Sequence, residues 1–455
     1  MRYNSGLIAS MEEIDNDPIT NDVEAAEVAA TVADESAEIQ TEGDEIGTSV
    51  TEIEDAVQGG EELEAIGEVA VDAVESGEGL SEDAAEVASI AIESIRNRLG
   101  FRADTRLVPA TESFGNSNTR LMSTRLVVEG VMDSIKKIWA AIKAAVLRVW
   151  DKIKSFTAKL FNSATMLGKH VESLRARARD LPSNAKLKEK KISTGIAGQI
   201  NDGKTANMAS LKKISENTLA LVGVAGDMSE AQKTVSAEAQ TLASGEINQA
   251  SVKKFLAAQS AASSKILAAL SKINVSNELA AQASTRGPKA AKGSKTITKA
   301  FGPFVGNTLL VVDENESEFL GTKVSRITLS FQAPKGKAAD KVDALNPGEI
   351  QEILGIANKM ALVLQDFKKV QGNYDTITKA TTKLADTVMS NSQKILDKTG
   401  SDSETRQGLQ ELKTEVNAGI AAMNAFGSRA PALVFQLVKA MADYASISMR
   451  NLEAA

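Results

Sequence analysis

Acidic and basic residues are divided along this chain rather than mixed. Residues 1–112 hold 29 Asp and Glu against five Lys and Arg, a net charge of −24, and the first lysine is Lys136. Residues 113–455 hold 31 acids and 47 bases, a net of +16, so the overall −8 is the difference between two opposed parts. Like charges repel, which leaves the acidic part marginal as a fold of its own. Such a partition marks an acidic tail or a nucleic-acid-facing portion.

Composition narrows the fold class. The chain is 43% hydrophobic but only 4% aromatic, so its core must be built mainly from Ala, Val, Ile and Leu, which suits packed helices. Only 8 prolines interrupt 455 residues, which permits long helices. There is no cysteine and one histidine, His170. That excludes disulfides, thiolate metal sites, cysteine nucleophiles and a multi-histidine centre, and it fits a reducing bacterial cytoplasm. No stretch reaches the roughly 18–20 apolar residues of a membrane span. Met1–Ser10 lacks the apolar core of a secretory signal, so a soluble, non-exported protein is expected.

The acidic segment, about residues 12–93, is rich in Ala, Val, Glu, Gly and Ser, with glycines at 43, 47, 59, 60, 67, 77 and 79. It reads as short, weak helices without a serious core. A linker with Pro109 and the polar run Ser113–Thr119 follows. From Arg125 to Phe161 the pattern changes. Ile135, Ile138, Trp139, Ile142, Val146, Val149, Trp150, Ile153, Phe156 and Leu160 recur at helical spacing, with lysines on most of the other face, which predicts a basic amphipathic helix. Trp139 and Trp150 stand eleven residues apart, at nearly one azimuth. They are either a membrane-surface stripe or core, and the many further helices available to cover them favour core.

Those helices are expected at about 164–180, 204–225, 228–245, 247–284, 347–369, 372–398, 403–425 and 429–453, with Asn346-Pro347 and Ser428–Pro431 at starts and Gly287-Pro288 and Gly400-Ser401 at breaks. Residues 303–333 differ. Thr308–Val312 and Ser325–Phe331 are β-rich, separated by turn residues, which predicts a hairpin or small sheet. The expected fold class is therefore mainly α. Its parts are a weakly ordered acidic segment (1–112), a basic helical domain (113–300), a β-hairpin insertion (301–345) and a C-terminal helical region (346–455), the body being a multi-helix bundle.

Motifs for catalysis are missing. Gly293-Ser294-Lys295-Thr296 resembles the end of a phosphate loop, but position 288, where the first glycine belongs, is Pro. The surrounding Lys289–Lys299 reads as a flexible basic linker. No nucleophile elbow, zinc-protease motif or calcium loop occurs. His170 on a helix reads as a surface or capping residue. No enzyme, no metal and no cofactor is expected. Basic clusters at Arg175, Arg177 and Arg179, at Lys186, Lys188, Lys190 and Lys191, and at Lys289 to Lys299 offer phosphate contacts without sequence selectivity or are solvated helix faces.

One short pattern is confined to the acidic part. Ala-x-Glu occurs at 25–27, 33–35, 73–75, 84–86, 91–93 and 110–112 and not afterwards. The last copy, Ala110-Thr111-Glu112, precedes Ser113-Phe114-Gly115, and Arg120, Arg125, Glu129-Gly130 and the Ile138-Trp139 to Phe156 helix come next. In this, and in its opening Met1-Arg2-Tyr3-Asn4-Ser5-Gly6, the chain resembles internal head and virion structural proteins of giant tailed bacteriophages (myoviruses) over about residues 1–160. The resemblance implies an acidic propeptide that the prohead protease removes by cutting after Glu within Ala110-Thr111-Glu112-Ser113. It further implies packaging inside the head after synthesis in the host cytoplasm, with other capsid or inner-core proteins as partners. A precursor with a −24 arm on a +16 body is near neutral, and its removal would unmask a basic, DNA-compatible protein. The alternative is an ejected or membrane-active protein working through the Trp139–Trp150 helix.

Overall fold

The longest helices set the frame of the molecule. The structure, a computed structural model, describes residues 18–100, 108–202, 206–245, 247–275, 295–319, 322–332, 340–364, 367–397 and 403–453. The opening hexapeptide, Gly287-Pro288, Lys289 to Ser294 and Gly400-Ser401 lie outside them. The expectation of a mainly helical body with a small antiparallel sheet holds.

Helix α1 is Pro18–Glu75, α2 is Glu82–Arg98, and α3 is Ser117–Arg179. After a short strand β1 (Lys191–Ser193) and a single turn α4 (Ile196–Gln199) come α5 (Met208–Ser244) and α6 (Gln249–Leu270). Strands β2 (Lys295–Phe301), β3 (Leu309–Phe319), β4 (Thr322–Gln332) and β5 (Lys341–Asp343) precede α7 (Pro347–Leu364), α8 (Phe367–Asp397), α9 (Ser403–Asn424) and α10 (Ala430–Arg450).

Several elements run longer than the sequence predicts. α3 is one helix of 63 residues, about 95 Å, where two were expected, because Asn162-Ser163 is polar but not a breaker and Ser163 Oγ bonds back to Lys159 O at 3.0 Å. α5 likewise passes through Gly223, Gly226 and Asp227. Each helical glycine costs about 1 kcal/mol against Ala, and burial of Leu221, Val224, Ala225 and Met228 around them outweighs it. Helix starts are set by side chains: Asn207 with Ser210, and Asn248 with Ser251, form capping boxes, and Asn346 and Glu349 exchange bonds of 2.9 and 3.0 Å. At Ser428–Pro431 there is no new start. A π-helical turn, Ala425–Arg429, carries α9 into α10, and such a turn accommodates the ring of Pro431 and redirects side chains.

The sheet has three strands in the order β2-β3-β4, all antiparallel. Lys295 to Lys299, expected in a loop, belong to β2, where Lys295 faces Glu316 and Phe301 faces Leu310. Cross-strand pairs hold it: Thr296 Oγ1 donates to Asn315 and Thr298 Oγ1 to Asp313, both at 2.6 Å. β4 packs on α6 through Ser263 Oγ to Ser325 O at 2.9 Å. β1 and β5 pair separately, Lys191 opposite Asp343. One hydrophobic cluster runs from Val32 in α1 to Leu452 beyond α10.

The acidic segment differs most from expectation. It is not a set of short weak helices: α1 is continuous over 58 residues and docks antiparallel along α3, which α7 and α8 contact as well.

Candidate functional site

α1 reaches the body through a seam of heptad period. Val32, Ile39, Ile46 and Ile53 are seven apart, Val50 and Val57 fall four after the last two, and all are buried. That 4–3 spacing keeps one stripe facing a partner helix, and each buried aliphatic contributes about 1.5–3 kcal/mol gross. Gly43, Gly60 and Gly67 complete the stripe and are buried. They are seats rather than interruptions. A Cβ on Gly60 would stand 3.6 Å from Ile138 and 3.7 Å from Trp139 Nε1, and one on Gly43 would stand 3.8 Å from Phe156. At Gly47 a Cβ would come within 2.7 Å of the Arg429 guanidinium, and at Gly59 within 2.7 Å of Leu99, so a side chain at either position would have to displace the flexible end of that residue. Only Gly77 and Gly79, with φ of 75° and 66°, end α1 as breaks.

Charge flanks the seam. Lys159 is paired with Glu38 and, at 2.9 Å, with Glu42, and these hydrogen bonds raise its ammonium above the usual lysine range. Lys152 donates to Ser49 at 3.3 Å, Arg429 to Asp44 at 2.7 Å, and Arg406 lies 3.7 Å from Glu68. Deeper, Lys413 of α9 is bonded to Glu64, which also accepts from Ser392 of α8. Lys413 is 3% exposed and Glu64 8%, so this pair is enclosed. Beside it Gln410 donates to Glu61 at 2.9 Å, and burial, the largest influence, pushes the Glu61 carboxyl up.

Both tryptophans are core. Trp139 is 1% exposed and Trp150 3%. Different neighbours cover their shared face along the length of α3: Trp139 lies over Gly60 of α1, while Trp150 packs on Tyr374 of α8 and donates to Asp375 at 2.9 Å. Among the described residues no helix is long and apolar enough to cross a membrane. Tryptophan emission should therefore be blue-shifted without lipid and unmoved by vesicles; a shift seen only with anionic vesicles would instead place this face at a membrane.

The connection from α2 to α3 carries Ala110-Thr111-Glu112-Ser113. Ala110 and Glu112 are exposed, and Val108 and Phe114 are buried on either side. Within the expected linker the segment is a 3₁₀ turn, Thr111–Phe114. Ser113 N donates to Ala110 O at 2.8 Å and Gly115 N to Glu112 O at 3.3 Å. Phe114 is the reason: its side chain is fully buried and its carbonyl accepts from Arg120 Nε at 2.7 Å, which pulls the chain into a tight return. Of the other Ala-x-Glu copies, 73–75 ends α1, while 25–27 and 33–35 lie inside α1 and 84–86 and 91–93 inside α2.

The basic clusters share one end of the bundle. Arg175, Arg177 and Arg179 form the last turns of α3, with Arg177 and Arg179 exposed and Arg175 half-buried. Lys188, Lys190 and Lys191 are exposed, and Lys188 Nζ donates to Arg450 O of α10 at 3.2 Å. His170 is buried on α3 rather than at the surface, and burial lowers its pKa. No cluster of metal-ligating side chains occurs among the described residues.

This is a long-helix scaffold with an acidic helix seated on a basic, apolar groove. The model of the family of phiKZ-like phage internal head proteins matches residues 19–450, acidic helix included, and the chain belongs to that family. Membership places it in the interior of the virion head, as a structural component among other capsid or inner-core proteins. No curated protein and no solved structure matches it.

Proposed function

We propose that this internal head protein is packaged as a precursor and matured by the phage prohead protease, which cuts after Glu112 to leave a basic body beginning at Ser113. The observation that carries the reading is a coincidence at one place. The net charge changes sign there and the last Ala-x-Glu copy lies there, on an exposed turn between two helices. Proteases bind extended chain, so the turn must open first, giving up its two short backbone bonds, the bonds from Thr119 Oγ1 to Ser113 O and from Arg120 Nε to Phe114 O, and the burial of Phe114.

Docking gives the arm a role. Its carboxylates hold Lys159, Arg406, Lys413 and Arg429 of the body, so loss of the arm bares cations that the precursor neutralises. The mature body then tolerates duplex DNA without reading sequence, through phosphate contacts at Arg175, Arg177, Arg179, Lys188, Lys190 and Lys191.

Mass spectrometry of particle-derived protein should find Ser113 as the N-terminus, and Glu112→Gln should leave the acidic segment attached. Duplex DNA should bind the matured form more tightly than the precursor at low salt, with the gap closing as salt rises. A particle-derived chain beginning at Met1, or equal DNA binding by both forms, would overturn the reading.

A further inference from the structure

We infer that the groove on α3, closed by α9 and the π turn, is a self-sufficient docking site for an acidic helix with glycines in its seam, so that the arm stays bound after the chain is severed at Glu112. The inference rests on the precursor reading and adds how the arm is retained. Three observations carry it. The seam of α1 runs from Val32 to Ala70, well beyond the roughly 12–15 residues below which an isolated helix is marginal, so packing along it supports the whole helix. Large side chains of the body sit where α1 has glycine: Trp139 at Gly60, Phe156 at Gly43, and the Arg429 guanidinium at Gly47. The flanking cations are matched along its length, Lys159 to Glu38 and Glu42, Arg429 to Asp44, Lys413 to Glu64 and Arg406 to Glu68.

None of these contacts uses the covalent link at 108–116, so cutting it removes none of them. An ordinary apolar helix with a large residue at the Gly60 position would clash with Ile138 and Trp139, and a basic one would be repelled. The site thus selects acidic, glycine-seated helices, whether in cis or from another copy. Release then depends on cuts that shorten α1. The Ala-x-Glu copies at 25–27 and 33–35 lie within that helix.

The test uses the full chain with a recognition sequence for a site-specific protease inserted after Glu112. After cutting at low salt, the acidic fragment should co-elute with the body in gel filtration, and tryptophan emission should stay that of the uncut protein. Added labelled arm fragment should exchange into the complex. Gly60→Leu should weaken retention at least tenfold, as should the surface pair Lys159→Glu with Arg429→Glu, whose uncut form keeps its helicity by circular dichroism because both side chains are flanking. An arm that separates at low salt from a body of unchanged helicity, or retention that ignores both variants, would overturn the inference. Because the cut is engineered, neither result depends on whether a phage protease acts at Glu112.

Discussion

Lys413→Ala in the full-length chain is expected to lower the unfolding free energy by about 3–5 kcal/mol, the largest effect of any single truncation at the α1 interface. Lys413 and Glu64 are both enclosed, and Glu64 accepts from Ser392 as well. Removing the ammonium leaves a carboxylate beneath α1 with one neutral donor, and Glu61 stands close by with its own carboxyl already pushed up by burial. The double variant Lys413→Met with Glu64→Leu should recover most of the loss, since an apolar pair of similar volume avoids desolvation altogether. Denaturant melts of the three proteins decide the matter. If Lys413→Ala costs under about 1 kcal/mol, in the range of an exposed pair, α1 is not clamped there.

The second large effect is a loss of stability as pH rises, centred on Glu415. This α9 carboxyl is 2% exposed and lies among Gln232 and Ser236 of α5 and Gln259 of α6. Arg326 of β4 is near but is bonded to Glu411. Burial pushes Glu415 up to about 8, and the three hydrogen bonds lower it only in part. With the folded value above the unfolded one, the native state holds a proton that the unfolded chain has released. Stability therefore falls between about pH 4.5 and 8, by roughly 5 kcal/mol at 1.36 kcal/mol per unit. Glu415→Gln removes this titration. Its stability relative to the parent should rise from pH 5 to about pH 8 and level off above that, and a difference that is flat from pH 5 to pH 8 would show Glu415 to be ionised in the fold.

How much of this was legible depended on whether a residue's partner is local. The α3 pattern from Ile135 to Leu160 follows from helical period alone, and each apolar residue of that pattern is buried. The charge reversal and the confinement of Ala-x-Glu are counts. Gly43 and Gly60 were misread because a glycine's local cost is visible in sequence, while the Trp139 and Phe156 rings that occupy its vacancy come from a helix distant in sequence. Strand β2 was missed for a related reason: Lys295 to Lys299 look like a basic loop until Asp313, Glu314 and Asn315 lie opposite.

The buried carboxylates gave no signal. Glu64 pairs with a lysine 349 residues distant, and Glu411 with an arginine 85 residues away. A charged residue in a helical pattern is assigned to water unless its partner is known, because desolvation without a partner is prohibitive. By itself, then, the sequence determined the helical class, the basic amphipathic α3, the division of charge and the position where it reverses. Tertiary structure decided that the acidic segment is a packed part of the protein. Repulsion among its carboxylates is a property of the segment alone, whereas the lysines, arginines and apolar groove that overcome it belong to helices distant in sequence, which only folding brings alongside.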